Sequence, residues 1–200
     1  MNTLINIQNE YKFDTDKGST HTYLEKYDEL FKEFKNEKIN VLEIGALAGE
    51  SLKLWSKYFP NATIYGVDTF ERVSFNDVVE NIKGYDNILL RNIDSFRGTD
   101  DTDKENWWVK KDREKALEEF EDEFFHIIIA DGHHAGSAQV RTFNNFIGKL
   151  HSDGIYVIED IKMYDGHSEH VIENIKNIEI IDMNENRSVK DNTLGIYKNV

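Results

Sequence analysis

The sequence predicts an α/β fold of three layers: a mainly parallel sheet covered by helices on both faces, with a C-terminal antiparallel strand. Three observations carry this. Short β-rich runs alternate with segments of helical period along most of the 200 residues, the pattern of parallel strands joined by crossover helices. The positions just after successive runs are Gly45, Asp68, Asp94, Asp131 and Glu159-Asp160, and four of these five are acidic. The last two runs, with a polar stretch between them, read as an antiparallel pair.

Taken in order, residues 1–38 are expected to form a helical cap. In it, residues 21–35 place Tyr23, Leu24, Tyr27, Leu30, Phe31 and Phe34 at helical spacing. Residues 39–44 are a strand running into Gly45, and residues 50–58 a helix closed by Pro60. A strand over 63–67 ends at Asp68. A helix over 75–82 and a strand over 87–90 follow. The charge-dense stretch 99–123 mixes both signs and carries Trp107, Trp108, Leu117 and Phe120. It reads as a polar loop and an amphipathic helix over 104–121 with the tryptophans on its buried face. A strand over 124–130 leads to Asp131, a helix covers 135–150, and a strand over 154–158 leads to Glu159-Asp160. A helix over 168–176 and strands over 178–182 and 193–197 complete a core of residues 39–200, so that residues 1–200 form one domain.

Composition narrows the function classes. The net charge is −14, which argues against a nucleic-acid partner, since phosphates are bound by basic patches. The apolar runs are too short to span a bilayer, and the N-terminus lacks the features of a signal peptide. No membrane partner is expected, a cytoplasmic location fits, and a homo-oligomer is compatible with this composition. The chain has no cysteine, which excludes disulfides, thiolate zinc sites and a cysteine nucleophile.

The loop Glu43-Ile44-Gly45-Ala46-Leu47-Ala48-Gly49-Glu50-Ser51 joins the first strand of the core to its helix. Gly45 permits a tight turn and close approach of a ligand, and Gly49 opens a helix whose N–H groups face that ligand. Asp68, at the end of the next strand, is placed to accept hydrogen bonds from both hydroxyls of a ribose. A dinucleotide site would show Gly-x-Gly-x-x-Gly, and the middle glycine that admits pyrophosphate is missing here. Glu43 adds negative charge, which suits a cationic ligand. S-adenosylmethionine, with a sulfonium, an amino group and no phosphate, is therefore favoured over NAD. Asp94 is a candidate for the adenine amino group, and equally a solvated loop acid.

The strands ending at Asp131 and at Glu159-Asp160, if neighbours, bring three carboxylates together. Unpaired they would repel. A divalent cation removes the conflict, and all-oxygen ligation suits Mg²⁺, with Mn²⁺ as a substitute. His134, three residues past Asp131, is a candidate general base. His133 is assigned no role.

These residues resemble the metal-dependent class I sugar O-methyltransferases, a family that includes the mycinamicin sugar O-methyltransferase, the rhamnosyl O-methyltransferases and cephalosporin hydroxylase-like proteins. The resemblance runs from about Asp16 to Asp160. It rests on Asp16-Lys17-Gly18, His21, Tyr23, Tyr27, Leu30-Phe31, Val41-Leu42-Glu43-Ile44-Gly45, Gly49-Glu50-Ser51-Leu52, Trp55, Tyr58-Phe59-Pro60-Asn61-Ala62, Ile64-Tyr65-Gly66-Val67-Asp68, the Asp131 to His134 turn, and Tyr156-Val157-Ile158-Glu159-Asp160. It implies a Rossmann-like class I methyltransferase sheet with S-adenosylmethionine at the glycine loop. It implies Asp131, Glu159 and Asp160 as Mg²⁺ ligands, Asp131 and His134 as catalytic residues with His134 the base, Asp68 on the ribose and Asp94 near the adenine. The acceptor would be a hydroxyl of a sugar, glycoside or similar small molecule. The chain departs from the pattern at His133, where serine is usual, and at Asn92-Ile93-Asp94-Ser95, where Gly-Asp-Gln is common. The resemblance does not reach the large N-terminal auxiliary domain of the antibiotic enzyme. Two other readings use the same residues: a metal-dependent hydrolase at the acidic cluster, and a cofactor-binding module without turnover.

Overall fold

The computed structural model describes residues 2–95, 117–118, 120–184 and 191–199. Most of the helix expected over 104–121, with Trp107 and Trp108, lies outside them. Seven strands form one sheet: β1 (Asn40–Ile44), β2 (Thr63–Asp68), β3 (Ile88–Asn92), β4 (Phe125–Ala130), β5 (Leu150–Ile158), β6 (Glu179–Asp182) and β7 (Thr193–Lys198). Their order is β3-β2-β1-β4-β5-β7-β6. The pairs from β3 to β5 are parallel, and β7 runs antiparallel to both β5 and β6. This is the expected architecture, with β7 inserted between β5 and the edge strand. Strand order reverses between β1 and β4, which is where open α/β sheets bind ligands.

Among the described residues the α-helices are α1 (Leu4–Tyr11), α2 (Tyr23–Phe31), α3 (Glu50–Tyr58), α4 (Phe75–Asn81), α5 (Gly136–Phe146) and α6 (His167–Asn174). Helix α1 lies within the expected helical cap of residues 1–38, ahead of the helical spacing over 21–35. It starts where the Thr3 side chain accepts from Asn6 N–H, and it buries Leu4 and Ile7, one turn apart on one face. Strand β5 begins earlier than expected, because Leu150 pairs with Phe125 before a register shift; regular pairing resumes at Ile155 opposite Ile127.

Each face of the sheet carries its own core. On the α1–α3 side Trp55, with no exposure, sits among Tyr27, Phe31 and Phe59. Burying a residue of that size contributes about 3–5 kcal/mol relative to alanine. On the other side Phe125, Phe143, Phe146 and Tyr156 pack together. The two-residue period of a strand assigns side chains to faces: Val41, Ile127, Ile129, Ile155 and Val157 belong to the first core, and Leu42, Ile44, Ile128, Ala130, Tyr156 and Ile158 to the second.

Candidate functional site

Register brings the strand ends level. Ile44 pairs with Val67 and with Ala130, and Ala130 with Ile158, so Gly45, Asp68, Asp131 and Glu159 are lateral neighbours, about 4.8 Å between adjacent strands. At Gly45 the backbone has φ +101°, and a Cβ there would stand 2.0 Å from the carbonyl oxygen of Asp131. Only glycine permits that approach. It joins the first loop directly to the end of β4, and Asp131 N–H donates to Ile44 O at 2.8 Å.

A cavity of about 820 Å³ opens over these strand ends. Gly45, Ser51, Asp68, Asp94, Asp131, His134 and Asp160 line it, whereas Glu43, Gly49 and Glu159 do not. Gly49 (φ +85°) is the N-cap of α3. Asp68 is fixed at the loop: one carboxylate oxygen accepts from Leu47 N–H at 3.0 Å and the other from Phe70 N–H at 2.8 Å. Each oxygen keeps a second lone pair for a ligand hydroxyl. Asp94 is half-buried beside Ser95 at the same rim.

The acids of the metal reading divide into two groups. In the first, donor atoms of Asp131, His134 and Asp160 all lie within 4.8 Å of one another, with His134 Nδ1 3.7 Å from Asp160 Oδ2. The two carboxylate oxygens at this spacing fit a small divalent cation, and the imidazole nitrogen stands beside them. Asp160 reaches the cavity through a left-handed backbone, φ +56°, which aspartate tolerates better than most residues. Burial and the nearby Asp131 charge push its pKa up. Tyr23, pushed up by burial and by Asp160, keeps its proton; its hydroxyl lies 2.7 Å from Asp160 Oδ1 and 2.9 Å from the Asp191 carbonyl. His21 stacks on Tyr23 and stands 3.5 Å from the same carboxylate.

The second group reaches inward from the cavity, which Lys17 and Asp131 also line. Glu43, Asp131 and Glu159 continue the two-residue alternation of Val41, Ile129 and Val157, so all three point to the α2–α3 face, where Lys17 meets them. Its ammonium is 2.6 Å from Asp131 Oδ2, 2.9 and 2.8 Å from the two Glu159 oxygens, and 3.2 Å from Glu43 Oε1, and Lys17 is 1% exposed. Burial alone would lower the pKa of Lys17, but Asp131, Glu159 and Glu43 outweigh it and hold it well above the usual lysine range. Tyr27 donates to Glu159 Oε1 at 2.5 Å. Ser51 and Trp55 donate to Glu43 Oε2 at 2.7 and 3.2 Å. Burial pushes Glu43 and Glu159 up, Lys17 opposing it in both.

Sequence reasoning thus located Asp131, His134 and Asp160 as neighbours, and Gly45, Ser51, Asp68 and Asp94 around one cavity. Glu43 and Glu159 sit instead with Lys17, which had been given no role, as had His21, Tyr23 and Tyr27. The available signal was the shared parity of Glu43, Asp131 and Glu159, which converges three acids on one face and calls for a cation there.

The strand order with its antiparallel β7, the glycine turn after β1 and the acid after β2 define the Rossmann-like fold of S-adenosylmethionine-dependent methyltransferases. An Aquifex aeolicus methyltransferase of this kind superposes with a TM-score of 0.58 at 15% identity, covering 98% of this chain and 97% of that one. The mycinamycin-pathway methyltransferase MycE, in complex with Mg, S-adenosylhomocysteine and mycinamycin VI, superposes with a TM-score of 0.57 at 24% identity, covering 79% of this chain and 39% of that one.

In sequence, the chain is similar to O-methyltransferases whose names include rhamnosyl and olivosyl substrates. It is 29% identical over 154 residues to the mycinamicin VI 2''-O-methyltransferase of Micromonospora griseorubida, across 72% of this chain and 32% of that protein. It is 26% identical over 155 residues to the 8-demethyl-8-alpha-L-rhamnosyl tetracenomycin-C 2'-O-methyltransferase of Streptomyces olivaceus, across 74% and 35%. The match spans about a third of the length of these relatives. No protein-family model matches the chain. Among the described residues no helix is long and apolar enough to cross a membrane.

Proposed function

We propose that residues 1–200 are one methyltransferase domain, with residues 1–38 capping a core of 39–200, and that it transfers a methyl group from S-adenosylmethionine to a hydroxyl of a sugar or glycoside with a divalent cation, Mg²⁺, bound. The observation that carries this reading is that the Asp131, His134 and Asp160 group opens onto the same cavity as the glycine loop and Asp68. The similarity to sugar O-methyltransferases supports the acceptor class. The charge of −14 weighs against a nucleic-acid acceptor, and a cysteine-free chain suits a cytoplasmic setting.

When bound, the donor supplies an electrophilic methyl and the cation supplies positive charge that lowers the pKa of an acceptor hydroxyl. The chain's own residues do the rest. Asp68 would bind the ribose of the donor and Asp94 its adenine amino group. Asp131 and Asp160 would hold the cation, with Glu159 behind them on Lys17. His134, half-exposed at the cavity wall, takes the hydroxyl proton. Proximity of donor and acceptor in one cavity supplies much of the rate.

The test is thermal stabilisation by S-adenosylhomocysteine with and without Mg²⁺, followed by transfer of labelled methyl to a panel of nucleotide sugars and glycosides. Stabilisation by the homocysteine ligand and metal-dependent labelling are expected. No stabilisation by either methionine-derived ligand sinks the reading.

A further inference from the structure

Lys17 is an unusual place to find a lysine: almost fully buried, touching three carboxylates from the ends of three strands, with four carboxylate oxygens within 3.2 Å of its ammonium. The ordinary account is a buried ion pair that holds the fold. That account leaves one feature unused. Asp131 belongs to both groups: its Oδ2 is on Lys17, and the same carboxylate is one of the three side chains close enough to share an ion. The lysine and a bound cation are therefore separated by a single carboxylate, and both draw on its charge. Lys17 also occupies both oxygens of Glu159, whose chain neighbour Asp160 belongs to the cation group.

We propose that Lys17 is a built-in counter-ion of the divalent site, a positioning residue that holds Glu159 and one oxygen of Asp131 and sets how tightly the site takes its cation. The proposal rests on the metal reading above. Lys17 balances one of the converging negative charges permanently, and the remainder is left at the Asp131–Asp160 side for a dication. Lys17 comes from the short turn Asp16–Gly18, capped by the Thr15 side chain, and Asp14, Thr15, Asp16 and Lys17 itself line the cavity. The turn that borders the ligand therefore carries the charge that sets the metal site.

Binding of Mn²⁺ to the full chain, read by the electron paramagnetic resonance of free Mn²⁺ in the presence of S-adenosylhomocysteine, tests this in the native protein, Lys17→Met and Asp160→Asn. Lys17→Met is expected to bind Mn²⁺ at least about ten-fold more tightly, the scale of one unit charge near a dication even in a water-like dielectric. Asp160→Asn is expected to lose binding. A merely structural lysine would lower stability without tightening the metal. Equal or weaker Mn²⁺ binding by Lys17→Met overturns the inference and leaves the metal site standing. Absence of binding by the native protein overturns the site and the inference together. If Lys17→Met does not fold alone, it is refolded with and without Mn²⁺: recovery only with the cation supports the counter-ion role, and failure in both overturns it.

Discussion

The two acid groups at the carboxyl end of the sheet are built from the same chemistry and share Asp131, yet they are completed differently. In one, Glu43, Asp131 and Glu159 close around Lys17, with Tyr27, Ser51 and Trp55 supplying further donors. In the other, Asp131, His134 and Asp160 face the cavity. The first group is finished by the protein, and the second is left for a ligand to finish. Internal pairing separates them: a buried ion pair must be matched internally or it costs several kcal/mol, whereas carboxylates that face a cavity can wait for a cation from solution.

The sharpest way to break the comparison is at the shared residue. Asp131→Ala is expected to abolish methyl transfer and Mn²⁺ binding together while the shift in melting temperature caused by S-adenosylhomocysteine survives; retained activity in EDTA would refute the scheme. His134→Ala acts on the open group alone, and is expected to lower kcat by about 10²–10⁴-fold, the range for loss of a general base, with the fold unchanged by circular dichroism. On the closed group, Lys17→Met leaves buried carboxylates without their cation, and urea unfolding of the metal-free protein should show a loss of about 3–5 kcal/mol. Tyr27→Phe removes one hydrogen bond to Glu159 and should cost about 1.5–3 kcal/mol in the same measurement, with little change in Mn²⁺ affinity.

The smallest effect is on pH. Glu43, Glu159 and Asp160 have folded-state pKa values above their unfolded ones, through burial first. Folding therefore takes up protons on these groups. Their contribution to stability is fullest below the ordinary carboxylate range and is lost as pH rises through the raised values, with a slope of at most about 1.4 kcal/mol per pH unit for each proton. The raised pKa of Lys17 acts in the same direction only at strongly alkaline pH. Urea midpoints of metal-free protein across this window should fall as pH rises, and saturating Mg²⁺ should flatten the fall.

What the sequence disclosed follows from range. Strand ends and the acids on them are written locally, as β-rich runs stopped by Gly45, Asp68, Asp131 and Glu159-Asp160, and the right neighbours follow from the topology of parallel sheets. The pairing of β7 between β5 and β6 was legible as an antiparallel closure, though its insertion beside β5 was not. Helix α1 buries only Leu4 and Ile7, while Ile5 and Tyr11 stay exposed, so its apolar residues do not mark one face. Lys17 was hidden for another reason: its partners Asp131 and Glu159 lie 114 and 142 residues away, and a lysine in a polar stretch has the local signature of a solvated one. Glu43 reads from its position as part of the loop, but strand parity turns it inward, away from the cavity.

The left-handed residue at Asp160 makes the order of two acids meaningful. Glu159, in step with the strand, drops its longer side chain to Lys17; Asp160, thrown out of step by its positive φ, delivers its shorter one to the cavity. The same two residues in reverse order would keep composition and charge, yet would leave the lysine a methylene short of its partner and ask glutamate to hold a backbone that suits aspartate. The dipeptide is thus a directional signal, and the fold reads its sense as well as its content.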